Sequence, residues 1–159
     1  MVDEPQEKIC ARAVALKGFR DREGNVMAHV DRLAGENELS SADRGLAMEL
    51  AAGVIKRRAT LMAILKPMLK RPKQRLPLIV SDIILLGLYQ ILFLDRVPAH
   101  AAVNETVNIA HDFGQDRHIG LINGVLRSAL RFYPAPIEGP PPLEANIIPK
   151  GPNSYYKAA

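Results

Sequence analysis

Apolar residues recur at helical spacing along the chain as far as about residue 132 and lose that order beyond it. Ile9, Ala13 and Leu16 share one side of a helix predicted over about Glu7 to Phe19. Asp21-Arg22-Glu23-Gly24-Asn25 reads as a turn. Val26, Val30 and Leu33 then line a short second helix that ends before Gly35. Leu39-Ser40-Ser41-Ala42-Asp43 has the form of a helix start, because a serine hydroxyl accepts from first-turn amides and Asp43 complements the positive helix end. That helix runs through Leu46, Leu50 and Val54 and stops near Lys56-Arg57-Arg58, whose cations suit its negative end. Another helical segment spans Thr60 to Leu69, and Pro67 predicts a kink or break within it.

After a linker from Arg71-Pro72 to Leu76-Pro77 comes the longest apolar run, Leu76 to Leu94. It carries Asp82 and Gln90, and a charge within a lone spanning segment is costly, so it reads as a buried central helix and not a membrane span. Pro98 suits the first turn of the next helix, which ends near Phe113-Gly114 with the glycine as cap. A last helix covers about Arg117 to Phe132. The pattern gives at least six helices and no strand: an all-α domain over residues 1–133. From Pro134 the character changes. Seven of the twelve prolines fall in the final 26 residues, and Pro140-Pro141-Pro142 favours extended chain, so residues 134–159 are expected to form a Pro-rich tail or strap. Tyr155-Tyr156 could anchor its end, although a mobile terminus is the expected state.

Charge adds one asymmetry. Net charge is +4, yet Leu50 to Ser81 contains no acidic residue and eight basic ones: Lys56, Arg57, Arg58, Lys66, Lys70, Arg71, Lys73 and Arg75. The rest of the chain carries a net −4. Such segregation suits a polyanion-facing surface, and the alternative is a set of solvated helix ends. Cys10 is the single cysteine, so neither an internal disulfide nor a Cys-based metal cluster can form, which fits a reducing cytoplasm. The polar, acidic start MVDEPQEKIC is no secretory signal.

Three blocks together carry a family resemblance. The first is Leu94-Asp95-Arg96-Val97-Pro98 followed by Asn104-Glu105. The second is Ile122-Asn123-Gly124-Val125-Leu126-Arg127. Upstream, Leu39 to Arg44 precedes Glu49-Leu50, Gly53-Val54, Lys66-Pro67-Met68-Leu69 and Arg71-Pro72. Over roughly Ala11 to Phe132 the chain resembles the NusB-like fold family, which includes a bacterial antitermination factor and the N-terminal domain of an rRNA cytosine-C5 methyltransferase. The resemblance implies a helical bundle wrapped around the Leu76–Leu94 helix. It also implies RNA as partner, either ribosomal RNA or a leader transcript, with a ribosomal protein or a second copy as a further partner. The Leu94–Val103 block looks like the methyltransferase-linked branch, as does Asn123-Gly124-Val125-Leu126-Arg127, since antitermination factors usually carry an acidic residue in place of Arg127. Those factors also open with an arginine-rich arm, whereas Asp3, Glu4 and Glu7 stand here.

Candidate RNA contacts are therefore Lys8 and Arg12, one helical turn apart, with Lys56, Arg57, Arg58, Lys70, Arg71, Lys73 and Arg75. Pro98, Asn104, Glu105, Asn123 and Gly124 are read as structural signature residues, Gly124 as a site of close helix packing. Asp82 is expected to cap or pair with a cation, Tyr89 to be a buried aromatic, and Cys10 to be a small buried group. His29, His100, His111 and His118 form no metal-binding pattern, and no G-x-G-x-x-G loop is present, so no cofactor and no chemistry are expected of this chain.

Overall fold

The computed structural model describes residues 8–21, 24–71 and 75–158. The chain divides into two compact units, Met1–Arg58 and Ala59–Ala159. In the first, α1 (Ala11–Asp21), α2 (Val26–Glu36) and α3 (Ser41–Lys56) pack pairwise. Asn25 caps α2, its side-chain oxygen accepting from the amides of Met27 at 3.0 Å and Ala28 at 3.2 Å. Ser40 caps α3 by accepting from the Asp43 amide at 3.1 Å, as its sequence predicts. Each such cap contributes about 1 kcal/mol. Helices α1 and α2 cross at Gly18, where a β-carbon would stand 2.3 Å from Val30 Cγ2. Because α1 begins at Ala11, Cys10 precedes the buried stripe and is exposed, which corrects the expectation that it is buried.

In the second unit, α4 (Arg58–Leu65) tightens into a 3-10 turn at Lys66–Met68, so the break expected at Pro67 is realised. Proline has no amide to donate to the carbonyl four residues earlier, Ala63 in α4, so the α-helical ladder cannot continue through it. Helices α5 (Leu78–Phe93), α6 (Ala99–Asp112) and α7 (Ile119–Phe132) pack against one another. Val80, every residue from Asp82 to Gln90, and Leu92 are buried, so α5 is enclosed on nearly every side. Each fully buried Leu or Ile there contributes about 1.5–3 kcal/mol. No helix among the described residues is long and apolar enough to cross a membrane. The polar groups of α5 are satisfied within the protein. Gln90 Nε2 donates to the Leu86 carbonyl at 3.1 Å and to Thr106 Oγ1 at 3.3 Å, and Thr106 Oγ1 donates to the Ala102 carbonyl at 2.7 Å. Helix α6 ends at the expected glycine: Gly114 has φ +71° and its amide donates to the His111 carbonyl at 2.9 Å.

Two expectations about the C-terminal residues are corrected. They are neither strand-free nor a simple extended tail. Strands β1 (Ile137–Glu138), β2 (Ile147–Gly151) and β3 (Ser154–Lys157) form an antiparallel sheet in the order β1-β3-β2. Isoleucines and tyrosines favour this pairing, and Pro149 is tolerated because β2 is an edge strand. Tyr156 is buried and anchors the sheet. Its hydroxyl donates to the Leu92 carbonyl at the end of α5 at 2.5 Å. Its ring packs edge-on to Phe93 and Tyr133, with centroids 6.5 and 6.3 Å away. Lys150 lies over the same ring and pairs with Asp95. Burial opposes the charge on Lys150, yet Asp95 and Tyr156 outweigh it and raise its pKa.

Candidate nucleic-acid interface

The cations singled out by sequence fall in both units. Lys8 precedes α1, so it and Arg12 are not successive turns of one helix face. Lys8 is instead engaged: it pairs with Glu38 and, by hydrogen bond and charge, lowers that carboxyl's pKa. The neighbouring backbone is fixed as well. Ile9 donates its amide to Asn37 Oδ1 at 3.1 Å, while Asn37 Nδ2 donates to the Leu33 carbonyl at 2.8 Å. Lys56, the last residue of α3, is exposed. Arg57 and Arg58 are half-buried and each is engaged with a neighbour, so they are not simple solvated charges.

In the second unit, Lys66, Lys70, Arg71 and Arg75 are exposed, and Lys73 lies outside the described residues. Lys70 and Arg71 line a groove of about 690 Å³ whose other wall is α7. Met68, Leu121 and Val125 give it apolar surface, and Ser128 and Arg131 complete its polar rim. Arg131 Nη2 donates to Ser128 Oγ at 3.0 Å. The floor is open because Gly120 and Gly124, one helical turn apart, carry no side chains; a β-carbon at either would meet nothing within 4 Å. This corrects the reading of Gly124 as a packing glycine. Gly87 has that role, since a β-carbon there would stand 2.7 Å from Leu126 Cδ2 and 3.0 Å from Thr106 Cγ2. No acidic residue lines the groove, and among the described residues no carboxylate is paired with Lys70 or Arg71. Such a site attracts anions, and its apolar wall suits the sugar or base edge of a nucleotide.

The signature residues are dispersed. Pro98 immediately precedes α6, with φ −57°. Asn104 and Glu105 are exposed on that helix, and the buried polar contact belongs to Thr106 instead. Asn123 Oδ1 accepts from Arg127 Nε at 3.1 Å, a pair on the surface of α7. Sequence reasoning missed Arg131, Gly120 and Ser128. Their signal was present as a four-residue spacing, Gly120-Gly124-Ser128, beside Arg127 and Arg131. Tyr89 is buried as expected, stacked on Phe93, and Asp82 is buried with an interaction partner. Among the described residues no group of three or more His, Cys, Asp or Glu side chains could hold a metal ion.

Comparison with known proteins adds an independent line. Residues 9–131 match the model of the NusB family. The chain is 35% identical over 146 residues to a probable ribosomal RNA small subunit methyltransferase B of Synechocystis sp., covering 90% of this chain and 32% of that protein. It is 37% identical to a probable methyltransferase of the same description from Bacillus subtilis, covering 69% of this chain and 23% of that protein. The chain thus spans less than a third of the length of these curated relatives. It is also 31% identical to the transcription antitermination protein NusB of Shewanella amazonensis, covering 77% of this chain and 94% of that protein. The solved structure of T. maritima NusB shares the fold, with a TM-score of 0.65 at 17% identity over 79% of this chain and 93% of that one.

Proposed function

Because this chain belongs to the NusB family, we propose that it is an RNA-binding module acting on ribosomal RNA or its nascent transcript. The observation that carries this reading is the exposed cation set Lys66, Lys70, Arg71 and Arg75, within a segment from Leu50 to Ser81 that has no acidic residue. Its mechanism is electrostatic: lysine and arginine meet phosphates and release their counterions. Nothing in the chain supplies a cofactor loop or a second cysteine, so the module binds and positions RNA without performing chemistry on it.

The test is binding of fluorescently labelled rRNA fragments at two salt concentrations. Affinity should fall steeply with salt. Replacing the four cations by Ala should weaken binding and flatten the log–log salt dependence by about 0.7 for each phosphate that is no longer neutralised. Absence of RNA affinity at low salt, or affinity indifferent to the four substitutions, would refute the reading.

A second reading is that the module positions RNA for an rRNA small-subunit methyltransferase. One observation favours it: the 35% identity that extends across 90% of the chain. A Pro-Cys pair and a glycine-rich cofactor motif in frame beyond residue 159 would support it. Light scattering during size-exclusion chromatography, with and without a ribosomal protein, tests the adaptor or homodimer alternative.

A further inference from the structure

We infer that the groove between Lys70-Arg71 and α7 is a seat for single-stranded RNA, with one phosphodiester held between those two cations and Arg131. The inference rests on the RNA-binding reading and adds to it a place, a strand type and three residues outside the basic run.

Three features point to this ligand. First, charge is supplied from two distant parts of the chain. Lys70 and Arg71 follow the 3-10 turn, Arg131 stands near the end of α7, and all three line one cavity without an acidic neighbour in its lining. Ser128 orients Arg131 through a 3.0 Å hydrogen bond, which directs a guanidinium toward the same space. Second, the groove is lined by α7 where that helix lacks side chains. Gly120 and Gly124 are helical residues whose β-carbons would contact nothing, so packing does not require glycine at either position. Gly124 lies in the helix interior, where glycine costs about 1 kcal/mol relative to alanine, so at that open position it opposes stability without serving the core; Gly120 stands in the first turn. Third, the walls are mixed. Leu121, Val125 and Met68 offer apolar surface beside the cations. A duplex presents a phosphate ridge and hides its bases, whereas a single strand can lay a ribose or a base edge on such a wall. No aromatic side chain lines the groove, so the contact is with backbone and sugar and tolerates sequence variation.

The test separates this seat from general RNA binding. Gly124→Leu fills the groove and leaves every charge in place. Its fold is checked by circular dichroism and thermal melting, and Gly120→Leu repeats the test one turn away. Labelled single-stranded and duplex RNA of the same sequence are titrated against the wild type, Gly124→Leu, Gly120→Leu, Arg131→Gln and the double variant Lys70→Ala/Arg71→Ala. The seat predicts that each groove-filling variant weakens single-strand binding about tenfold and leaves duplex binding nearly unchanged. It also predicts that Arg131→Gln weakens single-strand binding although Arg131 lies outside the basic run. If Lys70→Ala/Arg71→Ala weakens binding while both leucine variants and Arg131→Gln bind like the wild type, the seat is overturned and RNA binding by the exposed cations stands. If no variant and no salt concentration reveals RNA affinity, both are overturned. Equal weakening for single strand and duplex overturns the strand preference.

Discussion

Helices α5 and α7 both carry glycine within the helix, and the two helices use it for opposite ends. In α5, Gly87 lets Leu126 and Thr106 approach to distances that a β-carbon would forbid. In α7, Gly120 and Gly124 face empty space. The rest of each helix follows the same division. Helix α5 buries all of Asp82 to Gln90 and has the Leu92 carbonyl sealed by Tyr156, whereas α7 buries Ile122, Val125, Leu126 and Ala129 and leaves Arg127 and Arg131 in water. One residue type thus marks tight packing in one helix and an open gap in the other. Helical spacing alone does not separate the two, because what counts is the face and what stands opposite.

The contrast can be broken at its strongest point. Leu126→Ala should cost about 3 kcal/mol, and combining it with Gly87→Ala should cost less than the sum by at least about 1 kcal/mol, because the truncated side chain vacates the space the new methyl needs. Additive effects in urea denaturation would show that Gly87 and Leu126 do not oppose each other. Gly87→Ala alone should destabilise by about 1–3 kcal/mol through overpacking. Gly124→Ala should do the reverse and stabilise by about 0.5–1 kcal/mol, since it gains helix propensity and meets no neighbour. Equal destabilisation at the two glycines would remove the distinction between the helices.

A smaller effect sharpens the difference at the helix ends. Tyr156→Phe should cost about 1 kcal/mol, the worth of its hydrogen bond to the Leu92 carbonyl. The same residue gives a pH signature. Burial raises the Tyr156 pKa above its ordinary value of 10.0, against the opposing influence of Lys150. Its contribution is therefore complete below the unfolded value and is lost as pH rises through the higher folded one. Burial raises the Tyr133 pKa as well, so tyrosinate absorbance should show two late-titrating phenols, of which one disappears in Tyr156→Phe. The smallest effect is at the surface: hydrogen bonding to Asp116 raises the His111 pKa, and Asp116→Asn should return it toward 6.5 in an NMR titration.

Much of this architecture was legible in the sequence where a local signal has one physical meaning. Ser40 with Asp43 marked the start of α3, Pro67 the break after α4, Gly114 the end of α6, and the apolar run from Leu76 the buried helix. Signals with two meanings misled. Prolines suggested an extended tail, yet Ile147, Ile148, Tyr155 and Tyr156 pair into a sheet around them. Lys8 and Cys10 were assigned to a helix that starts just after them, which changed the surroundings of both. The groove was half legible. The basic run named Lys70 and Arg71, but Arg131 is sixty residues further along and joins them only through the placement of α7 beside the 3-10 turn.

The Tyr156–Leu92 hydrogen bond has a consequence for biogenesis. Its partners are 64 residues apart, so at 5–20 residues per second Leu92 is synthesised roughly 3–13 s before Tyr156. Through that interval the terminus of the greasiest helix lacks its lid, and a nascent chain stalled with that terminus already outside the ribosome and Tyr156 not yet released should recruit holdase chaperones that the chain carrying Tyr156 ignores.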